Sequence, residues 1–269
     1  MSLVVDGFSK RYGGIAAVQN VSLTAKPFET TAVIGPNGAG KTTLLNLISG
    51  VVLPDAGTMS LAGRDVGRAP PHALAAMGLT RTYQTPQLFG DMTVLETVMV
   101  GAHLTAKTSV LGTMLNVRAT RREERAIEMV ARTALARTGI VESLYDRQSL
   151  ELAYGLQRRV EIARSLATGA RVMLLDEPAA GLSAGETAEL AALIRSLAAE
   201  GYMIVLVEHD MEMVMSLSNH IVVLNFGQKI AEGTPRQMQR DPRVIEAYLG
   251  IGAAEDADVA QEAEHAGPQ

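Results

Sequence analysis

The feature that most constrains the fold is a glycine-rich segment, Gly35-Pro-Asn-Gly-Ala-Gly-Lys-Thr-Thr43. It matches the pattern G-x-x-x-x-G-K-[ST], directly after a predicted strand (Thr31 to Ile34) and before a predicted helix (Thr42 to Ser49). Glycines at this spacing let backbone N–H groups point inward at phosphate oxygens, and the helix presents its positive end to the same place. The segment therefore predicts a phosphate-binding loop within a strand–loop–helix unit.

Side chains of this loop supply further contacts to a nucleotide. Lys41 provides a mobile positive charge for the β- and γ-phosphates, and the Thr42 hydroxyl can coordinate Mg²⁺. A nucleoside triphosphate with Mg²⁺ is therefore the predicted ligand of the loop. The predicted nucleotide-binding residues of the loop are Gly35, Asn37, Gly38, Ala39, Gly40, Lys41, Thr42 and Thr43.

A second motif, Val172 to Pro178, is an apolar run that ends in two acids. Such a run is typical of a strand buried in a parallel sheet. Asp176 stands where a carboxylate can hold Mg²⁺, directly or through water, and Glu177 can polarise an attacking water. An acid pair at a strand end is by itself often only a helix cap. Together with the phosphate-binding loop, it predicts a nucleoside triphosphatase.

The order of elements predicts an α/β fold. The helical pattern of Glu186 to Ala199 lies between the strand of the acidic motif and another apolar run, Met203 to Val207. Three strand-like pieces nearer the ends are Leu3 to Phe8, Thr58 to Leu61 and Ile221 to Leu224. These pieces suggest an antiparallel or mixed β flank. Residues 91–168 are mostly helical in pattern, with an apolar stripe from Ile127 to Leu135, and predict a helical subdomain inserted in the core.

Charge and composition limit the possible partners. The chain of 269 residues has 24 Lys plus Arg against 29 Asp plus Glu, and five of these acids lie in the last fifteen residues. The remainder is balanced in charge, whereas a nucleic-acid-binding protein normally has a basic excess, so we expect no nucleic-acid partner. The absence of Cys excludes disulfides and thiolate metal sites. We predict a domain at residues 1–252 and a disordered acidic tail at 253–269.

The segment from Leu152 to Arg164 resembles the signature motif of ATP-binding cassette (ABC) proteins. In that family the segment binds the γ-phosphate of a nucleotide held by the other subunit. The resemblance places Ala153 and Gly155 at this phosphate, with Gly155 permitting close backbone approach and a helix starting near Gln157. It implies that the nucleotide is ATP, bound with Mg²⁺, and that the chain forms a head-to-tail dimer with a second ATPase subunit, either a paralogue or a copy of this chain.

Further landmarks of the family occur in the expected order. Tyr12 corresponds to the aromatic residue that stacks on adenine. Gln84 corresponds to the glutamine that touches magnesium and water and relays to the membrane partner, and His209 to the switch histidine at the γ-phosphate. By this resemblance the catalytic residues are Lys41, Glu177 and His209, and the metal ligands are Thr42, Gln84 and Asp176.

The resemblance sharpens to one subfamily through the segments Arg81 to Glu96, Glu177 to Leu182 and Ala231 to Gly250. They look like the ATPase subunit of importers for branched-chain, or hydrophobic, amino acids. This implies a P-loop NTPase fold with a RecA-like α/β core, an antiparallel β flank and an inserted helical subdomain. It also implies membrane permease subunits as partners, a solute-binding protein that acts through them, and a peripheral location on the cytoplasmic face of the membrane.

Three positions depart from the family's pattern. Ala153 replaces the usual Ser, Leu156 replaces the usual Gln, and Ser183 stands where Asp or Asn is usual. A lost hydrogen bond of this type is worth about 0.5–1.5 kcal/mol. We therefore expect slower turnover rather than its loss.

Two alternative functions stay open from the sequence. One is the ATPase of an exporter for envelope lipid or lipopolysaccharide, and the other is an ABC protein that acts on ribosomes or nucleic acid without a permease. A single cassette and a balanced charge argue against the second alternative. The segment from Thr105 and the ending near Tyr248 favour import over export. The sequence does not specify the transported solute.

Overall fold

Two β-sheets organise the part of the chain that the computed structural model describes, residues 2–103 and 117–248, with the side chains of 117–120 excepted. The larger sheet contains β3 (Thr30–Ile34), β6 (Leu79–Arg81), β7 (Val172–Asp176), β8 (Met203–Val207), β9 (His220–Asn225) and β10 (Gln228–Gly233). Its order is β10-β9-β3-β8-β7-β6, with all pairs parallel except β9 with β10. Every residue of β3, β7 and β8 is buried, which explains their unbroken apolar runs.

The smaller sheet is antiparallel and has the order β2-β1-β4-β5. Its strands are β1 (Leu3–Tyr12), β2 (Ile15–Ala25), β4 (Ala56–Leu61) and β5 (Arg64–Asp65). The predicted antiparallel flank is thereby confirmed. Ile221 to Leu224 lies in β9 at the side of the larger sheet, where it pairs in parallel with β3 and antiparallel with β10, in line with the mixed alternative. A short apolar run fits either kind of strand, so its pattern alone could not assign it to a sheet.

Helices surround the sheets. They are α1 (Lys41–Ile48), α2 (Pro71–Ala76), α3 (Val94–Ala102), α4 (Val117–Arg137), α5 (Tyr154–Ala167), α6 (Ala184–Ala199), α7 (Met211–Leu217) and α8 (Pro235–Met238), with 3₁₀ turns at Glu142–Leu144 and Ser149–Glu151. Residues 242–248 are also helical. Within residues 2–103 and 117–248, no helix is long and apolar enough to cross a membrane.

The region between β6 and β7 holds α3, α4, α5 and both 3₁₀ turns, and the three helices pack against one another. Buried Val98, Ala131 and Val160 contribute one side chain from each helix to a shared core. Val130, which the sequence pattern included in the apolar stripe of α4, is exposed because it lies at the margin of that stripe. The predicted tail at 253–269 and the first part of the segment from Thr105 lie outside the described residues.

Candidate nucleotide-binding site

The predicted phosphate-binding loop joins β3 to α1 and requires glycine at two close approaches. Gly35 has φ 149° and Gly40 has φ 101°. A Cβ atom at Gly35 would lie 2.1 Å from the carbonyl oxygen of Leu224 in β9, and one at Gly40 would lie 2.4 Å from that of Ala17 in β2. Neither position has room for a side chain, so the loop is held between the two sheets.

The other loop residues differ in exposure. Asn37, Gly38 and Thr42 are exposed, Thr43 is half-buried and Ala39 is buried. The first turn of α1 consists of Lys41, Thr42, Thr43 and Leu44, so its side chains add one positive charge and two hydroxyls to the backbone N–H groups at the helix start. The loop and this turn together present donors suited to an anion.

Lys41 is buried against its own loop. Its Nζ donates hydrogen bonds to the carbonyl oxygens of Gly35, at 2.7 Å, and Pro36, at 2.9 Å. Burial lowers the pKa of the Lys41 ammonium, and the negative charges of Glu177 and Asp176 oppose this shift in part. The lysine and both predicted acids therefore share one electrostatic environment.

Asp176 ends β7 in a buried ion pair. Its Oδ2 accepts a hydrogen bond from Nη2 of Arg81, at 2.8 Å, and both side chains are almost fully buried. Nη1 of Arg81 donates to Oδ1 of Asn46, at 2.7 Å, and to Oγ of Ser49, at 2.9 Å. One guanidinium thus connects the ends of β6 and β7 to α1. No sequence pattern predicts a role for Arg81, because its partners lie far away along the chain.

Glu177 is the meeting point of three predicted site residues. Its Oε2 accepts a hydrogen bond from Nε2 of Gln84, at 2.8 Å, and its Oε1 lies 2.7 Å from Nε2 of His209. Gln84, Glu177 and His209 follow β6, β7 and β8, respectively. These three strands are parallel neighbours in the larger sheet, so their carboxyl ends lie at the same edge. Glu177 has φ 46°, a left-handed backbone that a non-glycine residue adopts at a cost, and such strain is concentrated at functional sites.

Glu208 connects the segments that follow β7 and β8 through hydrogen bonds to their backbone. Its carboxylate is buried and accepts backbone N–H groups from Ala179, at 2.7 Å, and His209, at 3.0 Å. Burial raises the pKa of Glu208, although the N–H donors oppose the shift. No sequence pattern predicts a role for Glu208. Its position directly before His209 is the one feature of the sequence that could have indicated a place in the site.

The signature segment starts its helix earlier than the sequence suggested. α5 begins at Tyr154 with Ala153 as its N-cap, not near Gln157. The side chain of Gln157 folds back and donates to the carbonyl oxygens of Leu150, at 3.1 Å, and Leu152, at 2.9 Å. A helix start tolerates Gly155 in its first turn, which is why the glycine does not mark the boundary.

Gly155 meets a neighbouring helix rather than open space. A Cβ atom there would lie 2.5 Å from Oε1 of Glu186, so the position is restricted to glycine as long as that carboxylate stays in place. Glu186 is fixed by Ser183, which caps α6 and donates through its backbone N–H, at 2.9 Å, and its hydroxyl, at 2.7 Å. Ser183 therefore has a capping role in this chain. Leu156 is half-buried and packs against the core of the helical region.

Tyr12 ends β1 at the exposed tip of the β1–β2 hairpin, with 48% of its surface accessible. The ammonium of Lys10 lies 5.8 Å from the centre of its ring. The following strand, β2, is the one whose Ala17 touches the phosphate-binding loop. The contacts of the described residues do not bring Tyr12 or Ala153 to Glu177.

The predicted magnesium ligands fit the chemistry of that ion. Thr42, Gln84 and Asp176 supply hydroxyl, amide and carboxylate oxygens, the donor class that Mg²⁺ prefers. In the described part of the chain, no group of three or more His, Cys, Asp or Glu residues could hold a metal.

Comparison with known proteins places this geometry in context. The family model described as "ABC transporter" matches residues 18–180, and that described as "Branched-chain amino acid ATP-binding cassette transporter" matches residues 228–254. The chain is 43% identical over 249 residues to the high-affinity branched-chain amino acid transport ATP-binding protein BraF of Pseudomonas aeruginosa. It is 44% identical over 249 residues to LivG of Escherichia coli, which has the same description. Each match covers 92% of this chain and 97% of the relative.

Solved structures of ATP-binding cassettes from ABC transporters have the same fold. The ADP conformation of MJ1267 superposes with a TM-score of 0.80 at 32% identity, covering 93% of this chain and 99% of that one. A nucleotide-free cassette superposes with a TM-score of 0.79 at 32% identity, covering 92% and 99% of the two chains. The expected α/β fold is therefore confirmed over nearly the whole chain.

Proposed function

Because this chain belongs to the ABC transporter family as an ATP-binding subunit, we propose that it hydrolyses ATP to drive import of branched-chain or hydrophobic amino acids or related small solutes. The convergence of Gln84 and His209 on the carboxylate of Glu177 is the observation that carries the catalytic part. The solute class is supported by the match of residues 228–254 and by the descriptions of the bacterial relatives.

The chain's own residues divide the work of phosphoryl transfer. Lys41 and the N–H groups of the loop bind and orient the triphosphate, since an ammonium and a helix start both favour negative charge. Glu177 accepts a hydrogen bond from the attacking water and increases its nucleophilicity. Gln84 and His209 hold the two carboxylate oxygens in place, which fixes the direction of attack.

Magnesium is the proposed second cofactor, with Thr42, Gln84 and Asp176 as its ligands. When bound, Mg²⁺ neutralises charge on the phosphate oxygens. The ion pair with Arg81 holds Oδ2 of Asp176, and this fixes the orientation of the whole carboxylate. Tyr12 is the proposed stacking partner of adenine, because its exposed ring lies on the hairpin that contacts the loop.

The remaining parts of the proposal concern assembly. A second ATPase subunit, identical or paralogous, is proposed to face this chain head to tail, with Ala153 and Gly155 at the phosphate bound by the other subunit. Permease subunits are the proposed membrane anchor, placing the chain on the cytoplasmic face, and a solute-binding protein delivers the solute. The exposed segment around Gln84, whose side chain donates a hydrogen bond to Glu177, is the proposed relay to the permease.

An uptake experiment tests the proposal as a whole. A strain lacking this chain should lose uptake of radiolabelled leucine, isoleucine or valine. The wild-type chain should restore it, and the Glu177→Gln variant should not. Glu189→Gln, at an exposed acid that pairs with Arg159, is the matched control and should restore uptake fully. Normal uptake in the deletion strain, together with co-purification of envelope-lipid export components or ribosomes, would refute the importer assignment.

A further inference from the structure

Two buried charged residues of α5 have no part in phosphate binding or water activation. Arg158 and Glu161 are 1% and 0% exposed at their side chains, and Nη1 of Arg158 lies 3.1 Å from Oε2 of Glu161. A buried ion pair is weak evidence for stability, because the cost of desolvating both charges offsets most of their attraction. Its placement therefore requires another explanation, and its further contacts supply one.

The ion pair forms hydrogen bonds with donors and acceptors of one short stretch of backbone, Tyr83 to Gln84. Arg158 donates from Nη1 to the carbonyl oxygen of Tyr83 and from Nη2 to that of Gln84. Glu161 accepts the backbone N–H of Tyr83 at Oε1, at 3.3 Å. Both carbonyls and one N–H group of this stretch thus depend on a single pair. The planar guanidinium can serve two acceptors at once, which an ammonium cannot do in the same way.

The same guanidinium reaches two further parts of the site. Nη2 of Arg158 donates to the hydroxyl of Tyr154, at 3.1 Å, and lies 3.5 Å from the carbonyl oxygen of Glu177. The Tyr154 hydroxyl donates in turn to the carbonyl oxygen of Gln84, at 3.4 Å. Tyr154 is the first residue of α5 and follows Ala153 directly. Arg158 therefore touches the Gln84 backbone, the Glu177 backbone and the helix start.

We propose that Arg158 and Glu161 are positioning residues that make the Tyr83–Gln84 backbone and the first turn of α5 move as one body. This inference rests on the proposed function, in which Gln84 relays to the permease and Ala153 with Gly155 meets the nucleotide of the facing subunit. A displacement of Gln84 then carries the start of α5 with it. The state of the permease is thereby transmitted to the phosphate contact of the facing subunit without a separate hinge.

The test removes both charges of the pair together, and it also removes a counter-charge of Arg164, whose Nη2 lies 4.0 Å from Oε1 of Glu161. In the double variant Arg158→Met with Glu161→Met, both positions keep apolar bulk, so the helix can fold although the backbone contacts are lost. Arg158→Lys keeps the charge but not the fork and should give an intermediate result. Arg159→Gln is the matched control, since Arg159 is the next residue of the same helix and forms a surface ion pair with Glu189.

Two measurements on the full chain separate positioning from mere stability. Hydrogen–deuterium exchange should become faster in peptides covering residues 82–86 and 152–156 of the double variant, and should stay unchanged across β1 and β2. The kcat for ATP should fall about tenfold or more while KM stays within about twofold, because the ground-state contacts of the loop are untouched. Folding is verified by a melting temperature above the assay temperature.

A folded double variant with wild-type kcat and unchanged exchange at residues 82–86 would overturn the inference. So would an equal loss in the Arg159→Gln control. Failure of the underlying function is distinguishable, because the wild-type chain would then show either no ATPase activity or an activity that Glu177→Gln does not reduce. Failure of the positioning role alone leaves the wild-type chain active and Glu177→Gln inactive.

Discussion

Nε2 of His209 lies 2.7 Å from Oε1 of Glu177, at the edge of the sheet where β7 and β8 end. A carboxylate only accepts hydrogen bonds, so Nε2 of His209 carries the proton in this contact. Gln84 donates to the other carboxylate oxygen. The carboxylate of Glu177 is therefore oriented by two donors, which follow the strands on either side of β7.

Replacing Glu177 by Gln should abolish most ATP hydrolysis. The substitution preserves size but replaces one acceptor oxygen with an N–H donor, and a positioned general base contributes about 10²–10⁴-fold to rate. Phosphate release should fall by this order while ATP binding persists, and size-exclusion chromatography should show an ATP-bound dimer. Glu189→Gln serves as control. Wild-type turnover in Glu177→Gln would remove this residue from the role of base.

Replacing Lys41 by Ala should weaken ATP binding. A hydrogen bond to a charged group contributes about 1.5–3 kcal/mol, which corresponds to roughly 10–150-fold in dissociation constant. Equilibrium titration with a fluorescent ATP analogue measures the change. Lys26→Ala, at an exposed lysine outside the site, should bind normally. Equal affinity in both variants would contradict the phosphate-binding assignment of Lys41.

Replacing Arg81 by Met should destabilise the fold strongly. The variant leaves the buried carboxylate of Asp176 without its partner, and breaking one side of a buried ion pair costs about 3–5 kcal/mol. Urea denaturation should show this loss of unfolding free energy. Arg132→Met removes two exposed ion pairs, with Glu128 and Glu142, and should change stability little. Similar stabilities for the two variants would argue against a structural role of the Arg81 contact.

Replacing Leu156 by Gln restores the residue usual in the family. Leu156 packs half-buried against the helical core, so the change should lower the unfolding free energy by about 1 kcal/mol. ATPase activity should be preserved or raised, because the side chain lies outside the contacts among Lys41, Glu177 and His209. Leu150→Gln, at an exposed leucine, is the control for solubility effects. A collapse of activity in a folded Leu156→Gln variant would contradict this expectation.

Glu208 should give the fold a measurable pH dependence. Burial raises its folded pKa above the ordinary value of 4.5, so the folded state binds this proton more tightly than the unfolded chain. Stability contributed by Glu208 is therefore lost as pH rises from 4.5 through the folded pKa. Glu208→Gln lacks this titration, so its stability relative to wild type should increase with pH across that window and then level off. A difference that is constant in urea denaturation from acid to neutral pH would refute this prediction.

The sequence predicts the central sheet well because its strands are locally encoded. β3, β7 and β8 are five-residue runs that are buried throughout, and the pattern G-x-x-x-x-G-K-[ST] that ends at Lys41 and Thr42 identifies the loop between β3 and α1. The roles of Gln84 and His209 came from a family resemblance, not from any local pattern, and the contact of both with Glu177 was not predicted. Their roles in catalysis stay predictions, although the structure brings the three side chains together.

Contacts between distant parts of the chain were beyond the sequence. Arg81 is 95 residues from Asp176, and Arg158 is 74 residues from Gln84. No periodicity records such a pair, because each residue sits in a segment whose local pattern is satisfied without it. The start of α5 was misplaced because a glycine suggests a boundary, whereas the N-cap is the exposed Ala153, whose side chain makes no capping hydrogen bond.

The close approach of Gly40 to the carbonyl oxygen of Ala17 has a thermodynamic consequence. The loop packs closely against the antiparallel sheet. Binding of a nucleotide to the loop and association of the two sheets are therefore linked equilibria, and the coupling between them is reciprocal. A substitution that loosens β2 from the loop, far from any phosphate oxygen, raises the dissociation constant for ATP. Conversely, a saturating concentration of nucleotide raises the temperature at which the two sheets separate.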